Sequence, residues 1–381
     1  MGKYNKITVV HIGDFLGYPP VISLIENLLH HHVKVDLISS TEAHRIPVIM
    51  QNNSDFNYIC VPYDLGSGLK SRIVRVFLNR KTIRETVAAS MKTSDILWTT
   101  TDVAIKVLGE QLFEYKHVMQ LMELIQRFPH FTNIKALDFP IDEFGRKAYK
   151  VIVPDLDRAY IQQAWWDLKE VPTVLPNKPY SINRGEISET TQVALDKIKT
   201  ETRKILLYSG VITPERNIGE FAAAIRNRED CVLYVIGKSL SGETYLNKLL
   251  DENPNIVYLG YHTAPSHLEF IQYAHIGLTP YVPTHSNLHP IINALYCAPN
   301  KIYEYSAFGV PMVGTNVLGM LGLLRPFEQY NIGRCTKDMT PESVLECVEY
   351  IDEHHDEMSK NCLKFFEKDN LDKIVQDIIE G

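Results

Sequence analysis

No uninterrupted apolar run in the sequence reaches the length that spans a bilayer, so any membrane contact is expected from one side. The opening MGKYNKITVVHIG has neither an apolar core of signal-peptide length nor a small-residue cleavage site. Lys6 stands where a myristoylation signal wants Ser or Thr. The six cysteines (Cys60, Cys231, Cys297, Cys335, Cys347 and Cys362) form no CxxC pair, which speaks against a zinc site and a disulfide framework. A reducing, cytoplasmic setting fits that usage. A basic excess is missing too. The net charge of −7 disfavours a dedicated nucleic-acid binder. No GxGxxG follows the first apolar run, so a dinucleotide is not expected, and GSGLKS lacks the spacing of a P-loop. Repeats and low-complexity tracts are absent.

What remains is ordinary globular material. The chain has 381 residues, 45% hydrophobic and 22% charged, which is enough for two sizeable cores. KITVVHIG, VKVDLIS, FNYICVP, DILWTT, KHVMQLM and YKVIVP read as strands separated by helix-length segments. RKILLYSG, CVLYVIG, NIVYLG, HIGLTPY, VPMVGT and IGRC repeat that rhythm in the C-terminal half. Such alternation predicts parallel sheets covered on both faces. Between the halves, VPTVLPNKPYSINRGEISET interrupts it with prolines and turn formers. The expected organisation is a domain at 1–178, a linker at 179–203, a second domain at 204–358, and C-terminal helices at 359–381 that return to the first domain. The fold class is α/β, two tandem doubly wound Rossmann-like domains. Open sheets of this kind bind ligands at the carboxyl ends of their strands, so a ligand cleft is expected between the domains.

The chemistry-bearing residues fall at those strand ends. After RKILLYS come Gly210 and a loop with Pro214, Glu215 and Arg216, then a helix start near Asn217. Glycine lets a ligand approach the backbone, and a guanidinium beside a helix N-terminus suits a diphosphate. The segment reads equally as an ordinary strand, loop and helix with a surface arginine. In APNKIYEYSAFGVPMVGTN, Glu304 could accept from two ribose hydroxyls, and Lys301 could meet phosphate oxygens. A lone helical Glu is more often solvated. In HIGDFLGYPP, Gly13, Asp14 and Gly17 occupy the first strand-end loop, with Asp14 either orienting an acceptor hydroxyl or shaping the turn. Glu123 ends another strand and is a candidate for sugar or acceptor contact. GLKSRIVRVFLNRKTIRETVAASMK gathers Lys70, Arg72, Arg75, Arg80, Lys81 and Arg84 around a loose apolar stripe. It reads either as a contact for anionic lipid or a lipid diphosphate, or as a packed helix with a solvated basic face. His30 to His32 mark a helix end, and DEHHDE at Asp352 to Glu357 reads as a solvated helix face.

Taken together, Gly210, the triplet Pro214-Glu215-Arg216 and the block from Lys301 to Pro311 resemble the donor half of GT-B glycosyltransferases of the family 4 type. The resemblance covers roughly 204–340 well and the N-terminal half in outline. It implies that Arg216 neutralises a donor diphosphate and Glu304 binds the donor ribose, with Gly237, Lys238 and Tyr261 lining the nucleotide. It also implies retention of anomeric configuration, and neither a metal nor another cofactor. The departures from the family pattern are Val211 for a frequent Arg, Tyr296 for a frequent Glu, His275 for a usual Asp, and Met122 where a His precedes Glu-Leu.

The expected function is therefore transfer of a sugar from a nucleotide-sugar donor to a glycan or lipid-linked acceptor. It would serve surface polysaccharide or glycoconjugate synthesis in the cytoplasm, with peripheral contact at the inner membrane face. A nucleotide-sugar epimerase of the same architecture and a non-catalytic partner subunit are the alternatives.

Overall fold

A computed structural model of the chain describes residues 5–61, 63, 69–126, 139–182, 187–282, 290–316 and 321–381, with the side chains of 69–76 outside that set. The chain divides into two compact units. Unit 1 comprises Met1–Ser181, Ser286–Pro290 and Asn370–Gly381, and unit 2 comprises Ile182–His285 and Ile291–Asp369.

Unit 1 holds β1 (Lys6–His11), β2 (Lys34–Ser39), β3 (Phe56–Cys60), β4 (Ile96–Thr99), β5 (His117–Gln120), β6 (Lys150–Val153) and β7 (Thr173–Val174). Their order is β3-β2-β1-β4-β5-β6-β7, every pairing parallel. The apolar runs of β1, β4 and β5 are buried nearly end to end because helices cover both faces. The order reverses between β1 and β4, which opens a crevice at their carboxyl ends.

Unit 2 holds β8 (Lys204–Ser209), β9 (Cys231–Ile236), β10 (Ile256–Tyr258), β11 (Ile276–Thr279), β12 (Met312–Thr315) and β13 (Gly333–Thr336). The order β10-β9-β8-β11-β12-β13 is again parallel and reverses between β8 and β11. Successive side chains of β8 feed opposite faces. Ile205 and Leu207 join one core, and Leu206 and Tyr208 the other. The two-layered covering thus follows from an apolar run without alternation.

Four details go beyond the sequence expectation. Thr173–Val174, inside the proline-bearing break, adds an edge strand to β6, where a nearby proline removes no interior hydrogen bond. The expected linker contains a helix, Glu189–Lys199, capped by Ser188 and buried through Ala194, Leu195 and Ile198. Ser266–Tyr273 is a 3-10 helix. The last segment breaks into Pro341–Glu367 and Leu371–Glu380, with Asn370 capping the second. The first of these runs unbroken through position 359 because Met358, Cys362 and Phe365 continue its buried stripe. Among the described residues, no helix is long and apolar enough to cross a membrane.

Candidate functional site

In unit 2 three loops meet at the carboxyl ends of the strands. Gly210 follows β8 at φ +151° and Gly237 follows β9 at φ +143°, backbone that L side chains rarely adopt. The Gly210 N–H donates to the Ile236 carbonyl at 2.9 Å, and the Gly237 N–H donates to the Gly260 carbonyl at 2.8 Å. A Cβ on Gly237 would stand 1.7 Å from the Gly210 carbonyl oxygen, and one on Gly210 would stand 2.7 Å from Lys301 Nζ. These glycines let two backbones and one ammonium share the same space.

Arg216 closes the 3-10 turn Pro214–Arg216, and Lys301 and Glu304 ride on the helix Asn300–Ser306. Tyr281, two residues beyond β11, gathers both cations. The Arg216 guanidinium carbon lies 4.3 Å from its ring centroid and Lys301 Nζ 5.5 Å. Lys301 also donates to the Tyr281 hydroxyl at 3.2 Å. Burial pulls the Lys301 ammonium down; Tyr208 and Glu304 oppose this, Arg216 adds to it, and the result lies below the usual lysine value. Glu304 is only 5% exposed. Burial pushes its carboxyl up, but the charge and hydrogen bond of His267, and then the charge of Lys301, pull it down further. It stays below the usual carboxylate range and therefore ionised at neutral pH. His267 Nε2 lies 3.3 Å from Glu304 Oε1. Lys238 and Tyr261 are exposed at the rim of these loops. Tyr208 donates to the Val211 carbonyl at 2.5 Å, so position 211 contributes backbone.

The crevice of unit 1 is built differently. His11 ends β1 fully buried, its Nδ1 2.9 Å from the Thr100 hydroxyl and its ring 4.6 Å from that of Tyr18. Burial lowers it to about 4, with Asp14 pulling weakly the other way, and Nε2 has no hydrogen-bond partner among the described residues. Gly13 and Gly17 lie in this loop, where the Gly13 carbonyl accepts from the Ser39 hydroxyl at 2.8 Å. Asp14 caps the following 3-10 turn, accepts from the Thr41 hydroxyl at 2.9 Å and pairs with Arg45 at 2.7 Å. Its carboxylate is thus occupied in shaping the turn. Glu123 lies 3.7 Å from Arg158, and its charge helps raise the Tyr18 phenol, after burial and ahead of Asp102.

The basic stretch forms the helix Leu69–Ser90. Lys70, Arg72 and Arg75 have side chains outside the described residues. Arg80 and Arg84 each donate Nε to the Val107 carbonyl, at 3.0 and 2.9 Å, and so serve the end of the neighbouring helix Asp102–Leu108. Lys81 is exposed near Glu85 at 3.8 Å. Phe77 and Leu78 are 67% and 59% exposed.

Sequence reasoning placed Gly210, Arg216, Gly237, Lys301 and Glu304 in one unit at one sheet end, and the fold brings them together there. It did not single out His267, Tyr281 or His11. A histidine in an amphipathic segment and a tyrosine after a strand carry no local signal; their roles arise from the elements they meet.

The two doubly wound parallel units give the chain a GT-B fold, an architecture shared by glycosyltransferases and other enzymes. HepE from Anabaena, solved with UDP-glucose, is similar over 99% of this chain and 99% of its own, at 14% identity and a TM-score of 0.70. A glycosyltransferase from Rickettsia africae is similar over 100% of this chain and 98% of its own, at 13% identity and a TM-score of 0.68. A candidate UDP-N-acetylglucosamine 2-epimerase from Listeria monocytogenes matches 94% of this chain and 91% of its own, at 14% identity and a TM-score of 0.60. At these identities the likeness is one of fold. No protein-family model and no curated protein sequence matches the chain.

Proposed function

We propose that the chain is a glycosyltransferase that moves a sugar from a nucleoside-diphosphate donor, gripped by unit 2, to a glycan or lipid-linked acceptor. One observation carries this reading. Arg216 and Lys301 converge on the Tyr281 ring beside the buried, ionised Glu304. Two fixed cations match a diphosphate, and the carboxylate accepts from two neighbouring ribose hydroxyls. The solved HepE complex with UDP-glucose makes uridine the first base to try.

Chemically, the bond from the sugar to the diphosphate breaks as the bond to the acceptor oxygen forms. Preorganised Arg216 and Lys301 stabilise the charge on the leaving diphosphate, so the reaction needs no metal. The acceptor proton passes to a leaving phosphate oxygen on the same face, which retains the anomeric configuration. Glu123, with Gly13 and Gly17, forms the acceptor side, and Asp14 keeps that loop in shape. Exposed Phe77, Leu78 and Lys81 support an acceptor met at an anionic membrane surface. The second reading, an epimerase, is favoured by the Listeria likeness.

The test is thermal shift with UDP, GDP, ADP, TDP and CMP on the wild type and Glu304→Ala, followed by turnover with glycan acceptors and with lipid-linked acceptors in anionic vesicles. A ligand at about 100 times its Kd stabilises by about 2.7 kcal/mol, which reads as a melting shift of several degrees. One nucleotide should stabilise the wild type and lose its effect in the variant. Sugar turnover without an acceptor would select the epimerase. No stabilisation by any nucleotide would move a non-catalytic partner subunit to first place.

A further inference from the structure

Glu304 is a buried carboxylate whose nearest basic partner lies on a separate element. That partner is His267, whose side chain is 13% exposed against 6% for Glu304, with Nε2 3.3 Å from Oε1. It sits on the 3-10 helix Ser266–Tyr273, which packs against the helix carrying Glu304. The base of that 3-10 helix is fixed. His262 Nδ1 lies 3.0 Å from the Thr191 hydroxyl on the helix Glu189–Lys199, and its Nε2 lies 3.0 Å from the Leu259 carbonyl. A carboxylate on a helix can rotate about its own side-chain bonds. A ring nitrogen held 3.3 Å from one of its oxygens restricts that rotation and leaves the other oxygen, with its two lone pairs, for a ligand.

We propose that His267 is the positioning residue of the nucleotide site: it orients the Glu304 carboxylate toward the sugar hydroxyls of a nucleoside diphosphate and ties nucleotide affinity to pH. This rests on the donor reading given above. His267 acts through Glu304 and touches no reacting atom. Among the described residues, the charged or titratable groups around the pair include Lys301 and Tyr305 on the Glu304 helix, His262 before His267, and Glu269 on the His267 helix. Tyr208 and Arg216 act on the neighbouring Lys301. Tyr303, next along the Glu304 helix, is tied to Asp369 at 2.5 Å.

Removing His267 leaves burial opposed only by Lys301, so the Glu304 carboxyl rises. Once protonated, one of its oxygens donates instead of accepting. Nucleotide affinity in His267→Ala should then fall about fivefold to tenfold at pH 8, the loss of one hydrogen bond's worth of orientation. It should fall further on acidification to pH 6, where the wild type holds. His267→Gln keeps a donor but no charge. It should recover affinity at pH 8 and lose it at pH 6, a split that a merely structural role would not produce.

The probe is UDP, with GDP, ADP and TDP alongside, titrated calorimetrically into the wild type, Glu304→Gln, His267→Ala and His267→Gln from pH 5.5 to 8.5. If a nucleotide binds the wild type and Glu304→Gln weakens it, while both His267 variants follow the wild type at every pH, His267 has no such role and the donor site stands. If no nucleotide binds the wild type, the donor reading falls and this one with it. Should the His267 variants fail to fold, ring NMR of the wild type decides: saturating UDP should move the His267 titration, and an unmoved titration overturns the proposal.

Discussion

A buried side chain that stays neutral in the fold makes stability depend on pH, and unit 1 has such a group apart from any site. His117 on β5 is 3% exposed, with Nε2 2.8 Å from the Thr99 hydroxyl, and burial lowers it to about 3. Unfolded, it titrates near the ordinary value of about 6.5. Between those values the unfolded chain binds the extra proton, so stability is complete above about pH 6.5 and declines as pH falls toward 3. The loss from this residue is on the order of 3 kcal/mol by pH 4. His117→Gln keeps an amide for Thr99 and removes the proton site. Its urea midpoint should fall less steeply between pH 6.5 and 4 than that of the wild type. Equal slopes would show that His117 is not buried neutral. Tryptophan emission reads this cleanly, because all three tryptophans (Trp98, Trp165 and Trp166) lie in unit 1.

At the scale of elements, the strand-end loops of unit 2 put two glycines to different use. Ala at 237 would drive its Cβ into the Gly210 carbonyl, a backbone atom that no rotamer change can clear. Gly237→Ala should therefore cost about 3 kcal/mol or prevent unit 2 from folding. Ala at 210 meets the far end of the Lys301 chain, which can swing aside. Gly210→Ala should cost about 1–3 kcal/mol from its backbone angle alone, yet displace Lys301. The expected outcome is a folded protein that no longer gains melting temperature with nucleotide. A Gly210→Ala protein with an intact nucleotide response would remove Lys301 from the site. The same element-level logic accounts for the histidine that follows Ala274. His275 pairs with Asp352 at 2.8 Å and stacks on His355 at 4.0 Å. Lys204 and Arg228 reach the same Asp352, at 3.0 and 2.9 Å. Part of the DEHHDE stretch is therefore anchored on the sheet rather than being a solvated face.

At the scale of the whole molecule, the last helix belongs to the first unit. Leu371–Glu380 packs on the helix Pro19–His30, buries Leu371, Val375, Ile378 and Ile379, and sets Asp372 against Asn27 and His31 at 2.9 and 2.8 Å. Four apolar side chains at about 1.5–3 kcal/mol each amount to roughly 6–12 kcal/mol, comparable with the stability of an ordinary domain. Truncation after Asp369 should leave unit 1 unfolded or melting far lower, seen as red-shifted tryptophan emission. Calorimetry should retain a separate transition for unit 2. Unchanged emission and a single unshifted transition would show that the helix is dispensable.

The sequence by itself determined the two parallel sheets, because runs such as KITVVH and KILLYS can only be buried on both faces and their spacing leaves room for crossover helices. It also pointed to Gly210, Arg216, Lys301 and Glu304 as neighbours of strand ends in one half of the chain, since the succession of apolar runs and turn residues is local information. Tertiary structure alone decided that Tyr281 gathers the two cations, that His267 partners Glu304, and that Arg80 and Arg84 serve the end of a neighbouring helix. Each of these pairs residues far apart in the chain, from elements whose periodicity says nothing about which neighbour they meet. Tertiary structure also decided that Asp14 shapes a turn, because the Thr41 and Arg45 that hold it come from a loop beyond β2. Propensity and period are written within a dozen residues; partners across a sheet end are fixed only when the strands fall into register.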